Sequence, residues 1–247
     1  MPRYKVTIEY DGRDLVGWQR QENGPSVQQH IEDAIFKFCG EDIRIQGAGR
    51  TDAGVHALGQ VATFDLTQEY ETRTVMNAVN QHLKPAPVAL LDCTLVDPDF
   101  NARFSATGRH YLYRVINRRA PLTVDEGLAW HVKRELDSEA MHDAAQILVG
   151  KHDFSSFRAA ACQANSPVRT LGRLDVKRFD EEIQVRVSAL SFLHNQVRAM
   201  VGTLSMVGTG QWKKADVKKA LDARDRQKAG PNAPAHGLYL TDVDYDI

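Results

Sequence analysis

Gly49-Arg50-Thr51-Asp52-Ala53-Gly54-Val55-His56-Ala57 places a carboxylate close to a guanidinium on a glycine-bracketed loop. Gly47, Gly49 and Gly54 can adopt backbone angles that other residues avoid, so the main chain here can turn tightly and approach a ligand. Three kinds of chemistry are open to Asp52: a turn-former whose side chain caps local N–H groups, a phosphate-loop or metal ligand, or a nucleophile. GAGRTDAG is not the GxGxxG of dinucleotide-binding turns, and a strand rather than a helix is predicted after it. It also lacks the Lys-Ser/Thr of a Walker loop. No partners for a metal are evident, because Cys39, Cys93 and Cys162 are far apart, with no CxxC and no His at ligand spacing.

The elements that must carry this loop can be read from periodicity. Tyr4 to Tyr10 alternates with period two and ends at Asp11-Gly12, a strand closing on a turn. Ser26 is placed as an N-cap for a helix that puts Val27, Ile31, Ala34, Ile35 and Phe38 on one face and ends at Gly40. Strands are predicted at 43–47 and 59–66 with the GRTDAG loop between them, then a helix at 72–82 and a strand from Val88 to Val96. The second half offers a strand from Arg109 to Asn117, a helix from Asp137 to Val149, and a hairpin of Leu171–Lys177 with Ile183–Leu190. A largely buried helix from Phe192 to Val207, a charged helix at 213–222 and a closing strand from Gly237 to Val243 complete it.

Both halves fit a βαββαβ order, which places helices on one face of an antiparallel sheet. The expected class is therefore α+β, with two side-by-side ferredoxin-like or RRM-like halves, a largely antiparallel sheet and a cleft between the halves. The halves are expected at 1–104 and 105–247, with the joint near Asn101–Thr107.

The 247 residues, 43% hydrophobic and 26% charged, are those of an ordinary globular protein. A net charge of -1 argues against gripping nucleic acid by bulk charge. Cations nevertheless cluster at Arg103, Arg109, Arg114, Arg118 and Arg119, and again at Lys213, Lys214, Lys218, Lys219, Arg224, Arg226 and Lys228. Such stretches are either local phosphate patches or solvated faces. No secretory signal and no apolar run of membrane-spanning length is evident, so no membrane association is expected and the cytoplasm is the default.

Read through, GAGRTDAGVHALGQVATFDL resembles the active-site segment of the TruA-type tRNA pseudouridine synthases. So, in the family's order, do YDGRDLVGWQRQ at 10–21, SVQQHIEDA at 26–34, NARFSATGRHYLYRV at 101–115, GKHDFSSFRAAAC at 150–162, FLHNQVRAMVG at 192–202 and APAHGLYL at 233–240. Lys84-Pro85-Ala86-Pro87 is a proline-rich version of a family loop, and His110 stands where the family commonly has Lys or Arg.

The resemblance implies an isomerase that converts uridine to pseudouridine at positions 38, 39 and 40 of the tRNA anticodon stem-loop. It implies no cofactor, a homodimer and tRNA as the partner. It also implies that Asp52 is the catalytic carboxylate, Arg50 its loop neighbour, Tyr111 the aromatic stacked on the target uracil, and Arg198 the basic partner of Asp52.

The chemistry of the residues is compatible with those roles and leaves alternatives. Arg198 falls in an apolar helix, where a charge needs a partner unless it snorkels to solvent. Tyr111, Tyr113 and Arg109 alternate on one strand face, suited to base stacking or to plain packing. Arg50 can hold Asp52, bind a phosphate, or fill the space left when the target nucleotide leaves the stack. Leu238 is either an apolar wall under the base or ordinary strand core. Two readings from other classes are a non-catalytic RNA-binding protein on the same sheet and a phosphate-loop nucleotide enzyme.

Overall fold

The computed structural model describes residues 1–160 and 162–246; Ala161, within the 150–162 block, and Ile247 lie outside the described residues. In chain order the strands are β1 (Arg3–Tyr10), β2 (Gln46–Gly47), β3 (His56–Asp65), β4 (Val88–Val96), β5 (Ala106–Asn117), β6 (Trp130–Val132), β7 (Gly150–Asp153), β8 (Val168–Phe179), β9 (Glu182–Ala189) and β10 (Leu238–Tyr245). The helices are α1 (Val27–Cys39), α2 (Thr72–Leu83), α3 (Ser138–Ala145), α4 (Gln196–Gly208) and α5 (Lys214–Ala223). The class is α+β with largely antiparallel pairing. The chain forms two compact units, Met1–Thr107 with the stretch from Tyr239 onward, and Gly108–Leu238.

In the first unit β1 pairs antiparallel with both β3 and β4, and β2 adds antiparallel to β3. Tyr4, Val6 and Ile8 are fully buried while Arg3, Lys5 and Thr7 are half-buried, the period-two signature of a sheet with one face in the core. Helix α1 starts where Ser26 Oγ accepts from the Gln29 N–H at 3.2 Å. It stops at Gly40, whose φ of 77° is left-handed and whose N–H returns to the Phe36 carbonyl. The strand predicted at 43–47 is only Gln46–Gly47. The Ile45 N–H donates instead to Glu32 Oε1 at 3.2 Å, and Glu32, 3% exposed, is also held by Gln28 Nε2 at 2.9 Å and Arg20 Nη1 at 3.2 Å. A buried carboxylate recruits the backbone donor that would otherwise have joined the sheet.

In the second unit β5, β9, β8 and β7 are neighbours in that order, with β6 parallel on β5. The short strands β6 and β7 carry no periodicity that singles them out. The helix predicted from Asp137 is α3, capped by the Asp137 carboxylate on the Ala140 N–H, and its last residues form a separate tight turn at Gln146–Leu148. The helix predicted from Phe192 begins only at Gln196, because Asn195 stands at φ 62°, outside helical space.

The closing strand predicted at Gly237–Val243 is β10, and its Tyr239 and Leu240 lie parallel to His56 and Ala57 of β3. The first unit thus keeps the βαββαβ order and gains a strand.

Candidate active site

Asp52 sits in the first unit on the loop between β2 and β3, and the surrounding segments hold that loop by its main chain. The Ala48 N–H donates to the Val61 carbonyl at 2.8 Å, Gln60 Nε2 to the Gly49 carbonyl at 3.0 Å, and the Trp18 N–H to the Thr51 carbonyl at 3.1 Å. Thr51 is buried with its Oγ1 2.7 Å from the Tyr10 hydroxyl. A turn follows in which the Val55 N–H donates to the Asp52 carbonyl at 3.1 Å, and Gly54 supplies the positive φ, 77°, that the turn requires. Asp52 is half-buried and Arg50 exposed.

The 10–21 segment, to which no role was assigned from the sequence, is the brace behind this loop. Gly17 has φ 106°, and a Cβ there would meet the Thr51 carbonyl oxygen at 2.5 Å. A Cβ on Gly12 would meet the Val55 oxygen at 2.1 Å, and one on Gly47 would meet the Trp18 ring at 2.6 Å. Two loops therefore touch backbone to backbone, which only glycine permits. His56 closes the arrangement: Nδ1 accepts from the Gly12 N–H at 3.1 Å, lies 3.2 Å from Asp11 Oδ1, and its ring stacks on Tyr239 at 4.6 Å. Burial pushes the Asp11 carboxyl up, but hydrogen bonds from the side chain and main chain of Arg13 outweigh it and hold the group below its ordinary value.

Substituting Gly17→Ala forces the Thr51–Asp52 main chain to move. The expected result is a roughly hundredfold lower rate for any reaction that Asp52 carries, the scale of a misplacement of about 1 Å, with little change in ligand affinity. Single-turnover kinetics beside a binding titration checks it.

The second unit holds Arg109, Tyr111, Arg198 and Leu238. Arg109, Tyr111 and Tyr113 share one face of β5, opposite Ala189, Val187 and Val185 of β9. Their environments differ sharply. Arg109 is 9% exposed and its guanidinium donates to the Leu190 carbonyl, a structural anchor rather than a free cation. Tyr113 is fully buried, its hydroxyl donates to the Pro234 carbonyl at 2.7 Å, and burial drives its pKa far up despite the nearby Arg198 charge. It therefore stays protonated and supports the fold. Tyr111 is half-buried and meets Phe192 edge-on at 5.2 Å, a rigid but accessible aromatic.

Arg198, half-buried on α4, does not simply snorkel. Its Nε donates to the Ala233 carbonyl at 2.8 Å and its Nη1 to Asn195 Oδ1 at 2.9 Å. Its own carbonyl accepts from the Ala233 N–H at 3.0 Å. The segment containing Ala233 runs tightly over α4, since a Cβ on Gly202 would meet the Pro231 oxygen at 1.8 Å. Leu238, 6% exposed, fits the core reading.

The clustered cations are largely paired. Arg114 bonds Glu182 and Asp125, each at 3.0 Å, and Arg118 pairs with Glu181 at 2.9 Å. On and beside α5, Lys214, Lys218 and Lys219 pair with Asp143, Asp222 and Asp216. Among the described residues no group of three or more His, Cys, Asp or Glu side chains could hold a metal, and no helix is long and apolar enough to cross a membrane.

Comparison with known proteins covers the same residues. A family model described as tRNA pseudouridine synthase matches residues 6–105 and 144–246, and so includes the Asp52 loop, its brace, α4 and β10. The chain is 60% identical to tRNA pseudouridine synthase A of Maricaulis maris over 99% of this chain and 98% of that one. It is 59% identical to the protein so named in Sinorhizobium fredii, over 99% of this chain and 100% of that one. For Parvibaculum lavamentivorans the identity is 58%, over 100% of both chains. With likeness of this degree along the whole length, loop and brace included, the chain belongs to the tRNA pseudouridine synthase family of isomerases.

Proposed function

We propose that this protein converts uridine to pseudouridine at positions 38, 39 and 40 of the tRNA anticodon stem-loop, with Asp52 as the catalytic carboxylate and without a cofactor. It acts as a homodimer in the cytoplasm. Asp52, Arg50, Tyr111 and Arg198 work on one target nucleotide. The observation that carries this reading is the Asp52 loop itself, an accessible carboxylate on main chain braced by Gly12, Gly17 and Thr51, within a sequence at 60% identity to a tRNA pseudouridine synthase A.

The reaction breaks the bond from C1′ to N1, turns the base over and joins C1′ to C5. A carboxylate assists by attacking the sugar or the ring, or by taking the 2′ proton. Every route develops charge, which a fixed guanidinium such as Arg198 stabilises without reorganising. The target must leave the stack first, since its N1 and C5 are inaccessible in paired RNA. Tyr111 offers a ring face for the uracil, and its hydroxyl is suited to accept the C5 proton after recombination.

The test is incubation with unmodified tRNA, carbodiimide labelling of pseudouridine and mapping of reverse-transcription stops. Stops in the anticodon arm, formed equally in excess EDTA on a prefolded substrate, are the expected result; their absence refutes the reading. Tyr111→Phe keeps the stacking face and loses the hydroxyl. Tight binding and C1′–N1 cleavage with stalled product are expected, whereas Tyr111→Ala also loses affinity. Equal affinity loss in both variants would assign the hydroxyl to recognition instead.

A further inference from the structure

Phe104 is 79% exposed, beyond Phe36 and Phe179 at 54% each. An isolated surface apolar residue needs no explanation. This one differs because the turn that presents it is fixed from every side. Asn101 Oδ1 accepts from the N–H groups of Arg103 at 2.9 Å and Phe104 at 3.1 Å, while the Asn101 N–H donates to Ser105 Oγ at 3.0 Å. The Ala102 carbonyl, on a fully buried residue, accepts from the Tyr245 hydroxyl at 2.7 Å, and the Phe100 carbonyl accepts from Arg3 Nη1 at 3.0 Å. The ring is thus held out in solvent by a rigid support, and ordering it on binding costs little further freedom.

Two more observations say what it is held out for. The Arg103 guanidinium stands over the Phe104 ring, 5.4 Å from its centroid, so cation and aromatic form one unit. Asn101 Nδ2 also donates to Gln46 Oε1 at 2.9 Å, and Gln46 opens the β2 strand that leads through Ala48 and Gly49 to Asp52. The platform is tied to the strand that feeds the reactive loop.

We infer that Arg103 and Phe104 form a stacking platform for an unpaired nucleotide of the tRNA flanking the target uridine. The base lies against the Phe104 ring and the adjoining phosphate meets Arg103. This rests on the proposed action on tRNA. Extracting the target from its stack leaves a neighbour exposed, and an aromatic face with an adjacent guanidinium takes any base because every base has a π face. The paired cations on and beside α5 do not offer this combination.

The experiment compares Phe104→Ala, Phe104→Tyr, Phe104→Trp and Arg103→Gln by steady-state kinetics, tRNA binding at several salt concentrations and sedimentation. Phe104→Ala is expected to raise KM and the tRNA Kd about tenfold, the scale of one lost stacked base, with kcat and thermal midpoint unchanged. Tyr and Trp keep a ring and are expected to stay near wild type. Arg103→Gln is expected to lower the salt slope of binding by about one. An unchanged KM in Phe104→Ala, equal losses in the Ala and Trp variants, or dissociation of a wild-type dimer as the cause of the loss each overturn the platform. A wild-type protein that forms no pseudouridine in tRNA overturns the functional reading and the platform with it; wild-type turnover with an unaffected Ala variant overturns the platform alone.

Discussion

Asp52→Asn is expected to lower turnover at least about a thousandfold, the scale of losing an essential nucleophile or transition-state group, while tRNA binding survives. The substitution keeps size and shape and removes charge. The main-chain bonds that shape the loop, from Trp18 to Thr51, from Gln60 to Gly49 and from Val55 to Asp52, do not pass through the altered carboxyl. A folded, tRNA-binding and inactive variant is therefore the outcome that separates chemistry from architecture. Single-turnover assays under saturating enzyme, with a thermal melt as control, measure it. A residual rate above a few per cent would make Asp52 a turn-former.

Arg198→Met is expected to cost about a hundredfold or more in kcat, the scale of removing one fixed charge-stabilising donor. Methionine roughly preserves the volume on α4 and leaves the Ala233 carbonyl and the Asn195 amide without their guanidinium partner. That structural loss belongs in stability, about 1–3 kcal/mol for buried polar groups left unsatisfied, and is read separately from the melting curve. The decisive measurement is the double variant. Groups that act as a unit give non-additive losses, so Asp52→Asn with Arg198→Met should be scarcely slower than Asp52→Asn alone. Losses that simply multiply would show that the two residues act independently.

Much of this architecture was legible because local signals and tertiary demands agree. Ser26 and Gly40 bound α1 with the cap chemistry their types suggest, and Tyr4, Val6 and Ile8 alternate in the strand as they do in the sequence. What was not legible depends on distant partners. Ile45 sits in a strand-like run, yet its N–H goes to Glu32, thirteen residues earlier. Asn195 looks helical by its neighbours and stands at φ 62°.

At the site, Asp52 and its glycines announced themselves, but Gly12 and Gly17 were not read as the surface against which that loop is moulded. Their role appears only when Thr51 and Val55 are seen within van der Waals range of where a methyl would be. Arg109, which strand alternation puts on the face of Tyr111, donates to the Leu190 carbonyl, a partner that strand spacing does not disclose.

The parallel pairing of Tyr239 and Leu240 with His56 and Ala57 makes the second unit an insertion within the first. On the ribosome, the segment carrying Asp52 is made early, yet the strand that flanks it and the Tyr239 ring that stacks on His56 emerge only after residues 108–238 have been synthesised. Throughout that interval β3 presents an unsatisfied edge. A nascent chain arrested before residue 239 should therefore be able to form the contacts of Gly12, Gly17, Trp18 and Gln60 with the loop, while the Tyr239 ring on His56 is added only afterwards.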